Sequence, residues 1–290
     1  MRLPVITILL SVLGILTIIF ACSFGIDVFK NRRKLSETKW STLLGIGLVV
    51  NFLDTLGVGS AAPTTAMYKL FKLVEDRIIP GTLNVGGAIP VVVQAFIFMT
   101  AIKVSTLTLV SMILAATLGG TVGAGIVSRL PRRRIQFGMG AALLVVAFTI
   151  FAGLMRWFPS GGNAIGLNGG KLVLAVVVSF VLGALQMIGI GFYAPCMAMV
   201  YSLGMSPAVA FPIMMGCAAF MLPAAGMRFV KEGAYDRKAS LAFALPGIVG
   251  VLVAAFIITS LPVTALKWVV IAVIFYTSMT LLRSAARGGA

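Results

Sequence analysis

The sequence predicts an all-α, polytopic membrane protein, and three observations predict it. Hydrophobic residues fill 60% of the 290 positions and charged residues only 10%, too few to give a soluble domain a polar surface. Apolar runs close to the length of about 20 residues that crosses a bilayer core recur along the chain. The 23 Lys and Arg, against 7 Asp and Glu, gather in short segments between those runs, where positively charged loops hold a membrane protein in one orientation.

Residues 4–28, 82–101, 105–128, 136–155, 207–227, 239–261 and 265–282 read as seven crossings. The first run follows Arg2 and has a secretory signal's outline, with Cys22 after small Ala21. Phe20 stands where a cleavage site wants a small residue, and Lys30, Arg32, Arg33 and Lys34 behind the run favour retention, so residues 1–41 read as a transmembrane helix with its basic loop. Two stretches, 42–74 and 172–204, exceed 30 residues and are broken in the middle by Gly-rich sequence. Each is a re-entrant hairpin or a pair of short membrane helices, and in either form the chain returns to its starting side.

That parity puts 18 of the 23 basic residues on one face, in 30–39, 69–77, 129–134, 228–238 and 283–287. Arg2, Lys103, Arg156, Lys171 and Lys267 fall on the other. By the positive-inside rule the rich face is cytoplasmic, with the N-terminus outside, the C-terminus inside and a bacterial inner membrane as the site. The run LPRRR at 130–134 is then a loop anchor at the lipid bilayer, and no nucleic-acid partner is expected.

The chain also contains a duplication. Gly57-Val58-Gly59-Ser60-Ala61-Ala62-Pro63 is matched 132 positions on by Gly189-Ile190-Gly191-Phe192-Tyr193-Ala194-Pro195, and Ala66-Met67 by Ala198-Met199. Downstream, Gly86 and Gly216, then Gly119-Gly120-Gly123 and Gly247-Gly250, then Leu130-Pro131 and Leu261-Pro262, keep the same order. The first repeat, 42–155, and the second, 172–282, are expected to be inverted because three crossings separate their starts. Each comprises a broken or re-entrant helix pair and three transmembrane helices. Inverted repeats with Gly/Pro-interrupted segments in matching places point to a transport site at the breaks, where a half-helix N-terminus offers free N–H groups to an anion. Alternatively the glycines only permit close helix packing.

These residues resemble the TauE/SafE family of sulfite exporters and related permeases, whose halves carry a G-x-G-G-G pattern followed by a Pro at the next helix. The resemblance covers about residues 42–282. Gly57, Gly59, Gly189 and Gly191 match the leading glycines, and Pro63 and Pro195 match the prolines. Ser60-Ala61 and Phe192-Tyr193 stand where the last two glycines would be, which marks a divergent member. The resemblance implies a permease without enzymatic activity that carries small sulfur-containing anions such as sulfite, sulfoacetate or thiosulfate.

Polar groups within apolar runs need a reason to be there. Asp54, in LVVNFLDTLG, is the sharpest, and its counterpart is Gln186. It could hold a proton or sodium ion as a coupling group, or cap a half-helix. The remaining substrate-site candidates are Thr64, Asn84, Gly86, Tyr193, Cys196, Gly216 and Cys217, with Asn51 and Gln94 as further donors, each also serving equally well in packing or as interhelical glue. No Lys or Arg lies mid-crossing, so backbone amides and neutral donors would hold the anion.

Other classes find little support. There is no His, no C-x-x-C among Cys22, Cys196 and Cys217, no nucleotide-binding loop and no paired intramembrane carboxylates, so neither an enzyme nor a cofactor is expected. A passive anion channel and a membrane assembly factor stay open beside the carrier. Because an anion leaving a negative-inside cell gains about 2.3 kcal/mol per charge per 100 mV, export needs no coupling ion, whereas import would need one. Substrate identity, direction and oligomeric state are not fixed by the sequence.

Overall fold

The computed structural model describes residues 2–256 and 263–286. In order, the helices are α1 (Arg2–Lys30), α2 (Trp40–Thr55), α3 (Ala61–Leu70), α4 (Ile79–Ala101), α5 (Thr106–Val127), α6 (Arg132–Leu154), α7 (Gly169–Gln186), α8 (Tyr193–Ser202), α9 (Pro207–Glu232), α10 (Arg237–Phe256) and α11 (Val263–Ala286). The protein is an all-helical, membrane-embedded molecule. Among the described residues, seven helical stretches are long and apolar enough to cross a bilayer: α1, α4 with the turn before it, α5, α6, α7, α9 and α10. The run expected at 265–282 lies within α11, and the Leu261-Pro262 turn falls outside the described residues.

One difference from the sequence reading concerns α7. At 18 residues, about 27 Å at 1.5 Å per residue, this first arm of a broken segment is long enough to cross by itself. It holds no proline, and Gly183, its one glycine past the first turn, packs against α5, so the helix runs on to Gln186.

The loops form two layers joined by side chains. In one, Ser36 donates to Asp236 (3.3 Å), Lys238 Nζ to Ser36 O (3.0 Å), Thr38 Oγ1 to Leu73 O (3.1 Å), Arg129 to Glu232 (2.8 Å) and Arg133 Nε to Ala285 O (2.9 Å). In the other, Ser105 N donates to Ile165 O (2.7 Å), Gly162 N to Met205 O (2.9 Å), Ser206 N to Ala164 O (2.9 Å) and Lys171 Nζ to Leu203 O (3.3 Å). The first layer collects the basic clusters. Thr38 precedes α2 and Leu73 follows α3, so this pair of helices starts and ends at the same level. Lys171 and Leu203 bind the ends of α7 and α8 likewise, so each broken segment returns to its starting side, as a hairpin and a pair of short membrane helices both would.

The centre of the bundle is α4 against α9, with 72% and 83% of their apolar windows buried. Two further close crossings flank it, α2 on α10 and α5 on α7, and α6 packs on α11. In the crossing of α5 on α7, a Cβ on Gly119 would meet Phe180 O and one on Gly183 would meet Ala116 O, so only glycine admits that approach. By contrast α1 is peripheral, with 11% of its window buried, and faces lipid. Asp27 near its end accepts from Tyr235 (2.5 Å) and Arg237 Nε (2.6 Å), which pins α1 to the loop between α9 and α10. Burial, and then the Asp27 carboxylate, push the Tyr235 phenol up, keeping it a donor.

Candidate functional site

Both broken segments turn by the same set of backbone bonds. In the first, Gly57 N reaches Asp54 O (2.9 Å), Val58 N reaches Leu53 O (3.2 Å) and Thr64 N reaches Ser60 O (3.1 Å). In the second, 132 positions on, Gly189 N reaches Gln186 O (3.0 Å), Ile190 N reaches Leu185 O (3.3 Å) and Cys196 N reaches Phe192 O (3.1 Å). Gly57 and Gly189 end the first arms with φ of +81° and +104°, a left-handed turn that a side chain resists. Gly59 has φ of +88°, whereas its counterpart Gly191 keeps an ordinary backbone angle. Pro63 and Pro195 sit in the first turns of α3 and α8, where a missing donor costs nothing.

A side chain closes each turn. Asp54 Oδ1 accepts from Ser60 N (2.5 Å) and Gln186 Oε1 from Phe192 N (2.7 Å). The half-helix N-termini are therefore not wholly free, as the sequence suggested: one amide at each is held by the residue six positions earlier. The next two amides of each helix, on Ala61, Ala62, Tyr193 and Ala194, have no partner among the described residues. All four residues line a single small cavity of about 40 Å³. Its wall contains Asp54, Gly59, Ser60, Ala61 and Ala62 from the first segment, Gln186, Gly191, Phe192, Tyr193 and Ala194 from the second, and apolar Val91, Val146, Ala218 and Leu222. Two breaks distant in sequence thus share one chamber between α4, α6 and α9.

Gln94 of α4 ties them together. Its Nε2 donates to Asp54 Oδ2 (3.0 Å) and to Thr55 Oγ1 (3.0 Å), and its Oε1 accepts from Tyr193 OH (2.8 Å). The sequence offered Gln94 as one donor among several. Its part as the bridge was missed, because a glutamine 39 residues away in another helix carries no local signal of its partners.

Val58 and Ala194 also line a second, neighbouring cavity of about 270 Å³, between α6 (Thr149, Ile150, Gly153, Leu154), Phe158 and α8 (Met197, Ala198, Tyr201). Gly57 lines this outer cavity. It leads to the poorly charged loop layer. On the side of the basic layer, Lys69 at the end of α3 pairs with Asp76, to which Gln136 Nε2 also donates (2.7 Å), with Arg132 3.9 Å away.

The other candidates lie off the chamber wall. Thr64 Oγ1 donates back to Ser60 O (2.7 Å) and Asn84 Nδ2 to Pro80 O (2.8 Å). Gly86 faces Ser240 and Phe243 of α10, and Gly216 faces Met99, Leu109 and Ile113, so these two glycines serve helix packing. Gly189, Pro63 and Pro195 shape the breaks without lining the chamber, and Cys196 and Cys217 are buried in the core. Asn51 donates to Gly47 O (2.8 Å) and Phe243 O (3.4 Å), joining α2 to α10.

A scan against protein-family profiles matches none, and searches of curated proteins and of solved structures find no similar protein.

Proposed function

We propose that the protein is a secondary carrier for a small anion, bound in the chamber between the two breaks. The observation that carries this reading is that four residues whose amides lack partners, from two half-helix N-termini, line one cavity. Aligned peptide dipoles and free N–H groups at such termini favour negative charge without a cationic side chain. Weak, neutral coordination also suits a site that must release what it binds. The two halves are read as inverted repeats, supported by the matching bonds at an interval of 132 and by broken segments hung from opposite loop layers. With the basic layer cytoplasmic, the larger cavity opens outward and the cluster around Asp76 lies on the inner side.

The resemblance to TauE/SafE permeases supplies the substrate class, sulfur-containing anions such as sulfite, sulfoacetate or thiosulfate. At about 40 Å³ the chamber accepts a water-sized group, and such an anion would enter only as the breaks move apart. A channel reading competes, and counterflow separates the two. In vesicles carrying the purified protein, labelled sulfite or thiosulfate uptake should saturate and accelerate with unlabelled anion inside. Linear, unaccelerated flux would make it a channel, and no flux of any panel anion would remove the anion reading.

A further inference from the structure

We propose that a proton, and not sodium, is the ion bound together with the anion, and that Asp54 is where it binds. The inference rests on the anion-carrier reading and deepens it. Asp54 is the one carboxylic acid on the chamber wall, and among the described residues no Lys or Arg lines the chamber beside it. An anion in so small a space would lie against a carboxylate in a site from which water is largely excluded, where like charges repel strongly. Anion and ionised Asp54 therefore exclude one another. Something must neutralise the carboxylate when the chamber fills.

The surroundings of Asp54 decide what that is. A hard cation needs a shell of oxygen ligands. Here the two carboxylate oxygens face N–H groups, from Ser60 and from Gln94. The carbonyls at the break, Leu53 O and Asp54 O, are taken by Val58 N and Gly57 N, and Thr55 Oγ1 accepts from Gln94 while donating to Asn51 O. Donors hold both carboxylate oxygens, and a metal ion could gather an oxygen shell there only by displacing them. A proton needs no shell. It adds to one carboxylate oxygen, and the acid O–H becomes a donor that turns to the incoming anion. The hold on Ser60 N weakens at the same moment, so the first amide of the α3 terminus joins Ala61 and Ala62 in binding. When the anion leaves, Asp54 loses the proton to the same side and caps Ser60 again. The first break thus binds an anion only with a proton, while the neutral amide of Gln186 imposes no such condition on the second.

Other charged and titratable groups on the surrounding elements do not supply the neutralising charge. Lys69 of α3 is paired with Asp76, Arg237 and Lys238 of α10 are held by Asp27 and Ser36 O, and Arg132 and Arg133 of α6 and Arg228, Lys231 and Glu232 of α9 belong to the basic layer. No residue of α4 is charged, and α8 and α9 bring the Tyr193 hydroxyl and the thiols of Cys196 and Cys217.

Thiosulfate, whose own charge is fixed across the range, is the probe. Its affinity for the purified protein is measured in sodium-free buffer from pH 5.5 to 8.5. In parallel, its uptake is followed into vesicles with a pH dye trapped inside. The expected result is affinity that falls by about tenfold per pH unit above the transition, no effect of added sodium, and acidification of the lumen during uptake. Asp54→Asn should flatten the pH profile, bind at pH 8.5 and carry no proton. The wild-type series stands alone if that variant does not fold. Binding that is independent of pH, or that sodium strengthens at fixed pH, overturns the proton assignment and leaves the carrier in place. Absence of thiosulfate binding and flux at every pH overturns the carrier reading for this anion, and the proton assignment with it.

Discussion

The two breaks share a backbone and differ in charge. Leu53-to-Val58 and Leu185-to-Ile190 turn through the same bonds, and α3 and α8 both span ten residues at the same interval. Yet a carboxylate closes the first turn and a primary amide the second. A duplicated scaffold gives two N-termini to one chamber, and one substitution in it gives the chamber a titratable half and a neutral half. The cavities are unequal as well, with a vestibule on the α8 side and the Lys69, Asp76 and Gln136 cluster on the α3 side.

The harshest way to break the comparison is at the turns. Gly57→Val and Gly189→Val each force a β-branched residue into a left-handed angle, a strain of about 1–3 kcal/mol, and both should abolish flux in vesicles. Matched changes one step on should be unequal. Gly59→Val meets the same strain, whereas Gly191→Val does not and finds only the Val146 side chain near, at 3.9 Å. The melting temperature should therefore drop further for Gly59→Val. Equal drops would mean that the backbone difference between the breaks is not real.

A second change would erase the asymmetry of charge. Gln186→Glu gives both turns a carboxylate, and thiosulfate affinity near neutral pH should fall by about tenfold or more, equivalent to at least about 1.4 kcal/mol. Affinity equal to wild type would show that this end of the chamber does not touch the anion. Smaller still is the bridge. Tyr193→Phe removes one hydrogen bond to Gln94 worth about 1 kcal/mol, so a loss of a few degrees in melting temperature with flux retained is expected. The smallest effect belongs to the ends of the first broken segment, where Thr38→Val removes a half-exposed bond to Leu73 O and should cost under about 1 kcal/mol, read by the same melt.

Much of this was legible in the sequence, for physical reasons that differ by feature. Hydrophobic runs report helices that must span lipid, and glycine-proline pairs at an interval of 132 report where they break. The parity of basic clusters gave the two loop layers, because loop charge is selected by topology and not by packing. Asp54 stood out because a carboxylate in an apolar run needs a partner. What it caps was also within reach: Asp54 and Gln186 both precede the amide they hold by six residues. Long-range partners were not legible. Gln94 joins Asp54 to Tyr193, and Gln136 joins α6 to Asp76, across separations that no local pattern encodes. Gly86 and Gly216 keep the order of the repeat, at an interval of 130 instead of 132, but fulfil its packing half, since order along the chain does not say which side of a helix faces the chamber.

The central claim is that the chamber between the breaks is the anion site and that it opens towards the poorly charged face. Ala194 borders both the chamber and the vestibule, which makes it the most direct reporter. In a chain with Cys22, Cys196 and Cys217 replaced by alanine, the single variant Ala194→Cys should react with a membrane-impermeant thiol reagent added outside intact cells, and saturating thiosulfate should slow that reaction. Labelling only from the cytoplasmic side, or labelling at an unchanged rate when thiosulfate is present, would contradict the account.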